Sequence, residues 1–217
     1  FPFDVRATIW TPETGIQELR DVLIAGGATG VPNLRTAVAI SADGSRILAH
    51  DGFDWGIADL GTGGTTSSFC YGDGSGSACP CGNNGAAGAG CANGTGQGAS
   101  LSRTGTASAS SSSVVLQATG LVPNQPGLYF QGLNAINSGG GNAFGDGLRC
   151  AGGGVVRLQV RTADASGSSS TTSDIAVRGS VSSGDLRRYQ LWYRDPLSSP
   201  CGSGFNLSNG VEITWGA

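Results

Sequence analysis

Four of the six cysteines fall within Cys70–Cys91, CYGDGSGSACPCGNNGAAGAGC, and no other feature so limits how this chain can fold. Between them stand mostly Gly, Ala, Ser and Asn. Such a segment buries little apolar area, and its glycines lose more conformational freedom on ordering than other residues do. Covalent cross-links are what can hold it, so it reads as a disulfide-stapled element of an extracellular protein. An even set of cysteines (Cys70, Cys79, Cys81, Cys91, Cys150 and Cys201) fits an oxidising compartment.

Zinc is the first rival for these thiols. Cys79-Pro80-Cys81 has one intervening residue, whereas zinc ribbons use about two to four and recur as matched pairs. Disulfides are therefore expected throughout. Cys79 and Cys81 stand too close along the chain to bond each other. The expected pattern is one Cys150–Cys201 bridge plus two crossed local bridges among Cys70, Cys79, Cys81 and Cys91. Calcium is the second rival, because Gly72–Gly76, Phe144–Gly147 and Asp51–Asp54 each place carboxylates in tight turns. None has the spacing of an EF-hand, and Asp-Gly is also a common hairpin turn. The sequence thus calls for no cofactor and no metal, Ca²⁺ being the one ion these turns leave open.

Composition narrows the function class. Glycine supplies 39 of 217 residues, against a usual share of about 7%. Charged residues make up 12% and the net charge is −3, which argues against nucleic acid or an anionic membrane as partner. All twelve basic residues are arginine, excluding lysine Schiff-base chemistry and a P-loop lysine. No apolar run reaches the roughly 18 residues of a membrane span.

Helical periodicity is confined to Gly15–Leu23, where Ile16, Leu19, Val22 and Leu23 could form one face. Elsewhere short β-branched runs alternate with turn residues. Strands are expected near Arg6–Trp10, Thr36–Ser41, Arg46–His50, Trp55–Leu60, Ser113–Ala118, Gly127–Gly132, Val155–Thr162, Ser173–Val181, Arg188–Tyr193 and Val211–Trp215. Such spacing favours an all-β sandwich or barrel. Gly61–Ser68, GTGGTTSS, reads as a flexible linker.

Ile9–Leu19, IWTPETGIQEL, with Ala37–Asp51 and Trp55–Gly61, resembles one unit of the HAF-type extracellular repeat. The resemblance implies a β-propeller-blade-like unit over residues 1–61, with Asp43-Gly44 turning between two strands. Cys70–Asn83, Leu121–Gly132, Phe144–Leu158, Tyr189–Pro196 and Cys201–Trp215 resemble the glycine- and cysteine-rich C-terminal domain of secreted planctomycete-type bacterial proteins. The fold expected is all-β throughout. A blade-like unit leads into a Gly/Cys-rich linker and disulfide loop over 62–98. An antiparallel β-sandwich of jelly-roll or Ig-like type follows over 99–217.

Catalysis finds little support. His50 is the one histidine, no G-x-S-x-G elbow exists, and the three glutamates (Glu13, Glu18 and Glu212) lack an acid–base context. The chain therefore reads as no enzyme. Aromatic residues carry the binding potential: Trp10, Trp55, Tyr129, Trp192, Tyr193 and Trp215 are candidates for an interface or a ligand platform. Trp192 and Tyr193, as neighbours on a strand, must face opposite ways. A lone blade leaves sheet edges and an apolar face to be covered. The expected function is that of a secreted structural protein that self-associates into an extracellular filament or surface coat, through strand complementation between chains. The alternative is a carbohydrate- or surface-binding module of a larger secreted protein. The partners are then further copies or polysaccharide, and the location extracellular or at the cell surface.

Overall fold

β-Branched runs broken by glycine and asparagine leave little room for helix, and the chain folds as short strands, their ladders antiparallel. The computed structural model describes residues 5–11, 15–25, 30–40, 46–59 and 64–216. Two compact units divide the chain, Phe1–Thr62 and Gly63–Ala217. The cysteine loop, expected as a separate element over 62–98, belongs to the second unit.

In the first unit, β1 (Thr8–Thr11) pairs with β2 (Gly15–Glu18), and α1 (Leu19–Ala25) follows directly. The expected helix over Gly15–Leu23 is therefore half strand. Ile16 and Gln17 sit opposite Trp10 and Ile9, and this pairing outweighs a short helical pattern. β3 (Thr36–Ile40), β4 (Arg46–His50) and β5 (Trp55–Asp59) then form a three-stranded sheet in that order. The expected Asp43-Gly44 turn lies outside the described residues. Ala7, Leu19, Ile47 and Ala49 make a small buried core, with Ile9, Leu23 and Leu34 packed against it.

The second unit is a sandwich. Its strands are β6 (Thr66–Phe69), β7 (Ser100–Thr104), β8 (Val115–Thr119), β9 (Pro126–Gly132), β10 (Asn134–Ala135), β11 (Asn142–Phe144), β12 (Gly147–Arg149), β13 (Ala151–Gly152), β14 (Val156–Thr162), β15 (Ser169–Ser170), β16 (Leu186–Arg194), β17 (Phe205–Leu207) and β18 (Gly210–Thr214). The larger sheet runs β14-β9-β16-β18-β6, with β17 also on β16, and the smaller runs β15-β8-β7. Alternation sets the two faces. Tyr189, Leu191 and Tyr193 of β16 point inward with Tyr129, Val211 and Ile213, and meet Leu101, Leu116 and Ala118 of the smaller sheet.

Two segments depart from their expected state. Thr66–Phe69, within the expected linker, is an edge strand pairing Ser67 with Glu212 and Ser68 with Val211. Ser173–Val181, expected as strand, holds α2 (Ile175–Gly179), because the Asp174 carboxylate accepts the Ala176 and Val177 N–H groups. That N-cap outweighs the β-branched side chains behind it.

The disulfides differ from the expected pairing. Cys70 bonds Cys150, Cys79 bonds Cys91, and Cys81 bonds Cys201. Only Cys79–Cys91 is local. The other two tie the loop to the sandwich, and in the chain-entropy model each removes about 4 to 5 kcal/mol of freedom from the unfolded chain. The loop lies close against the strands: a Cβ on Gly90 would stand 2.4 Å from the Leu207 carbonyl oxygen, so only glycine fits there. The Asn206 side chain donates to the Ala92 carbonyl and Asn83 of the loop donates to the Asp146 carbonyl, fastening the loop to the sandwich.

Candidate interaction surfaces

Burial divides the six aromatic candidates. Tyr129, Tyr193 and Trp215 are enclosed in the sandwich core and cannot serve an interface or a ligand, which corrects the expectation for these three. Each is held there by a polar tip that finds a partner: Trp215 Nε1 donates to the Tyr189 hydroxyl, Asn93 donates to the Tyr193 hydroxyl, and the Tyr129 hydroxyl meets Ser169. Burial pushes the Tyr189 and Tyr193 hydroxyls above the ordinary phenol range. Trp192 is half-buried, while Trp10 and Trp55 are exposed.

The first surface is the outer face of β3–β4–β5. Ile47 and Ala49 of β4 point to the core, so Leu48 and His50 point away. Leu48 stands opposite Ile57, and His50 opposite Trp55 with ring centroids 4.8 Å apart. Trp55 is 64% exposed and Ile57 69%. An apolar row is thus presented to solvent rather than packed away. The flanking strands β3 and β5 end the sheet with free edges among the described residues.

A sharp turn leads from β4 to β5 on the same unit. The Asp51 carboxylate accepts the Phe53 and Asp54 N–H groups at 2.9 Å each, and His50 Nδ1 accepts the Gly52 N–H at 3.1 Å. These bonds, the Asp54 one foremost, hold the Asp51 carboxyl below its usual range. Gly52, at φ +111°, supplies a backbone state that a side chain would strain. The fixed turn carries Phe53 outward with its ring almost wholly in water, 92% exposed.

The second surface is a groove of about 410 Å³ on the outer face of the sandwich. Val160, Leu128 and Trp192 form a row across β14, β9 and β16, with Phe130 beside them. Phe205 props Trp192 and Phe144 at centroid distances of 5.6 and 5.1 Å. Arg149 and Arg157 are the charged lining residues; the Arg149 guanidinium carbon lies 5.9 Å from the Phe144 ring centre. Sequence reading reached Trp192 but not Leu128, Phe144 and Val160, which come together with it only through sheet register.

Two carboxylates of the second unit, Asp146 and Asp73, are tied into its loops by hydrogen bonds. Asp146 is fully buried and accepts the Ser199 and Ser203 hydroxyls and the Cys201 and Ser203 N–H groups. Burial alone would raise its pKa, but those bonds together outweigh it and hold the carboxyl below the usual range. Asp73, in the cysteine loop, is held at about 2 by the Ser75 hydroxyl and by the Gly88 and Ser75 N–H groups. Among the described residues no three His, Cys, Asp or Glu side chains gather into a metal-binding group. Comparison with protein-family models, with curated proteins and with solved structures finds no match for this chain.

Proposed function

We propose that this chain is a non-enzymatic, secreted structural protein that self-associates, a second copy covering the outer face of the N-terminal sheet. The observation that carries the reading is the exposed row of Leu48, Trp55 and Ile57. Burying a side chain of that kind stabilises by about 1.5 to 3 kcal/mol, and left in water it contributes nothing. The free edges of β3 and β5 offer backbone donors and acceptors beside it, the ingredients of strand addition between chains. Secretion is supported by three disulfides. No helix among the described residues is long and apolar enough to cross a membrane.

A sugar-binding platform has less behind it. It calls for coplanar exposed aromatics, whereas Tyr129, Tyr193 and Trp215 are in the core and the rings around Trp192 are tilted. Sedimentation velocity of the oxidised native chain tests the proposal. Association that grows with concentration is expected, and Ile57→Glu should remove the sheet-face contact and lower the assembly state while leaving the circular dichroism unchanged. A native chain that stays monomeric at all concentrations, or an Ile57→Glu chain that associates as before, would overturn it.

A further inference from the structure

We infer that the Phe53 turn of one copy docks into the Leu128–Trp192 groove of another, a second and head-to-tail contact beside the sheet face. The inference rests on the self-association reading above and names the surfaces it would use.

Both halves are built, and they match. The groove has an apolar floor of Leu128, Phe130, Val160 and Trp192, and its charges among the described residues are the cations Arg149 and Arg157. Among the described residues neither arginine forms an ion pair with a carboxylate. The turn offers the complement: one apolar ring between two carboxylates, Asp51 and Asp54, which outnumber the cation beside it, Arg35, packed against Gly52. The turn is also preorganised, since the Asp51 Oδ1 bonds to the Phe53 and Asp54 N–H groups fix it before any contact. An anchor already held in its bound shape loses little freedom on docking. Aromatic anchors in desolvated pockets dominate interfaces, and flanking charges set orientation and reject wrong partners.

Edge pairing does not compete at this place. The edge strand β14 bears Arg157 and Arg161 and has a register shift between Arg157 and Gln159, all of which blunt strand addition. A side chain inserted on the sheet face beside that edge is the contact the geometry permits. Knob and groove lie on different surfaces, so the contact is heterologous. Repeated from copy to copy it propagates into a chain unless the rotation closes a ring.

Two surface variants of the full oxidised chain test this. Phe53→Ser removes the knob and keeps the groove; Val160→Asp places a carboxylate in the groove and keeps the knob. Both positions are exposed, so neither substitution opens the buried core, and circular dichroism checks that each variant is folded. Each variant alone should reduce assemblies to the species held by the sheet face, weakening the contact at least about thirtyfold for Phe53→Ser. A one-to-one mixture should form heavier species than either variant alone, because one supplies the groove and the other the knob. Arg157→Gln should weaken association roughly two- to fivefold, with a smaller salt dependence than the native chain. Variants that assemble like the native chain, while Ile57→Glu lowers the assembly state, would overturn this inference and leave the self-association reading standing. A native chain that never associates would remove both, and that result is visible before any variant is made.

Discussion

Asp146 shows how one side chain organises a covalent link. Its carboxylate accepts four hydrogen bonds from the turn Ser199–Ser203, and Cys201, within that turn, bonds Cys81. The ionised form is the one the fold binds, so its pKa lies lower in the folded chain than in the unfolded one. Stability from this group is therefore fully present above the ordinary aspartate value, about 3.9, and is lost as the pH falls through the folded value. Asp73, held at about 2, acts in the same direction. Urea midpoints of the second unit should fall between about pH 4 and 2 as these carboxylates protonate, partly offset by Asp195, whose pKa burial raises. Asp146→Asn should lower the unfolding free energy at neutral pH by about 3 kcal/mol, because the amide turns N–H donors toward donors. It should also flatten the acid slope. An Asp146→Asn chain with the native pH profile would show that this carboxylate does not carry the effect.

At the scale of elements, the disulfide loop separates what spacing can reveal from what only register determines. The sequence shows that Cys70–Cys91 needs cross-links, and the bonds are there. It does not show that Cys70 and Cys81 reach Cys150 and Cys201, since those partners are brought near by β12, β16 and β17 in three dimensions. Thr66–Phe69 was illegible for a related reason. An edge strand needs no strong alternation, and TTSSF reads as linker until Gly210–Ile213 lies beside it. α2 was hidden by Ile175 and Val177, whose branching suggests strand, although the cap at Asp174 was present in the sequence. Of the candidate surfaces, Trp55 and Trp192 could be found by type. Phe53 and the companions of Trp192 needed burial and register. Exposure also ranks the disulfides. Cys81 and Cys201 are exposed, whereas Cys70, Cys79, Cys91 and Cys150 are buried. Thiolate attack requires access, so limiting reductant followed by alkylation should label Cys81 and Cys201 first. Mass spectrometry should then find Cys70–Cys150 and Cys79–Cys91 intact; simultaneous loss of all three would mean that local opening, not exposure, governs reduction.

Across the whole molecule, the two units are unequal in what holds them. The second has a core running from Leu101 to Trp215 and all three disulfides. Among the described residues the first has Ala7, Leu19, Ile47 and Ala49 with a few half-buried neighbours, and about 60 residues bury too small a fraction of their surface for much stability alone. Heating should therefore give two transitions, the first unit melting well before the second. Association adds a distinctive signature. A partner that binds the folded first unit, and not its unfolded form, raises its melting temperature with protein concentration by mass action. The second unit's melting is set by its own core and cross-links, so any rise from the groove contact should be smaller. Calorimetry of the native chain at two concentrations checks this. The lower transition should move up with concentration, and Ile57→Glu should shrink that shift to what the Phe53 contact supplies. A lower transition independent of concentration would mean that no second copy stabilises the exposed face, whatever larger particles form.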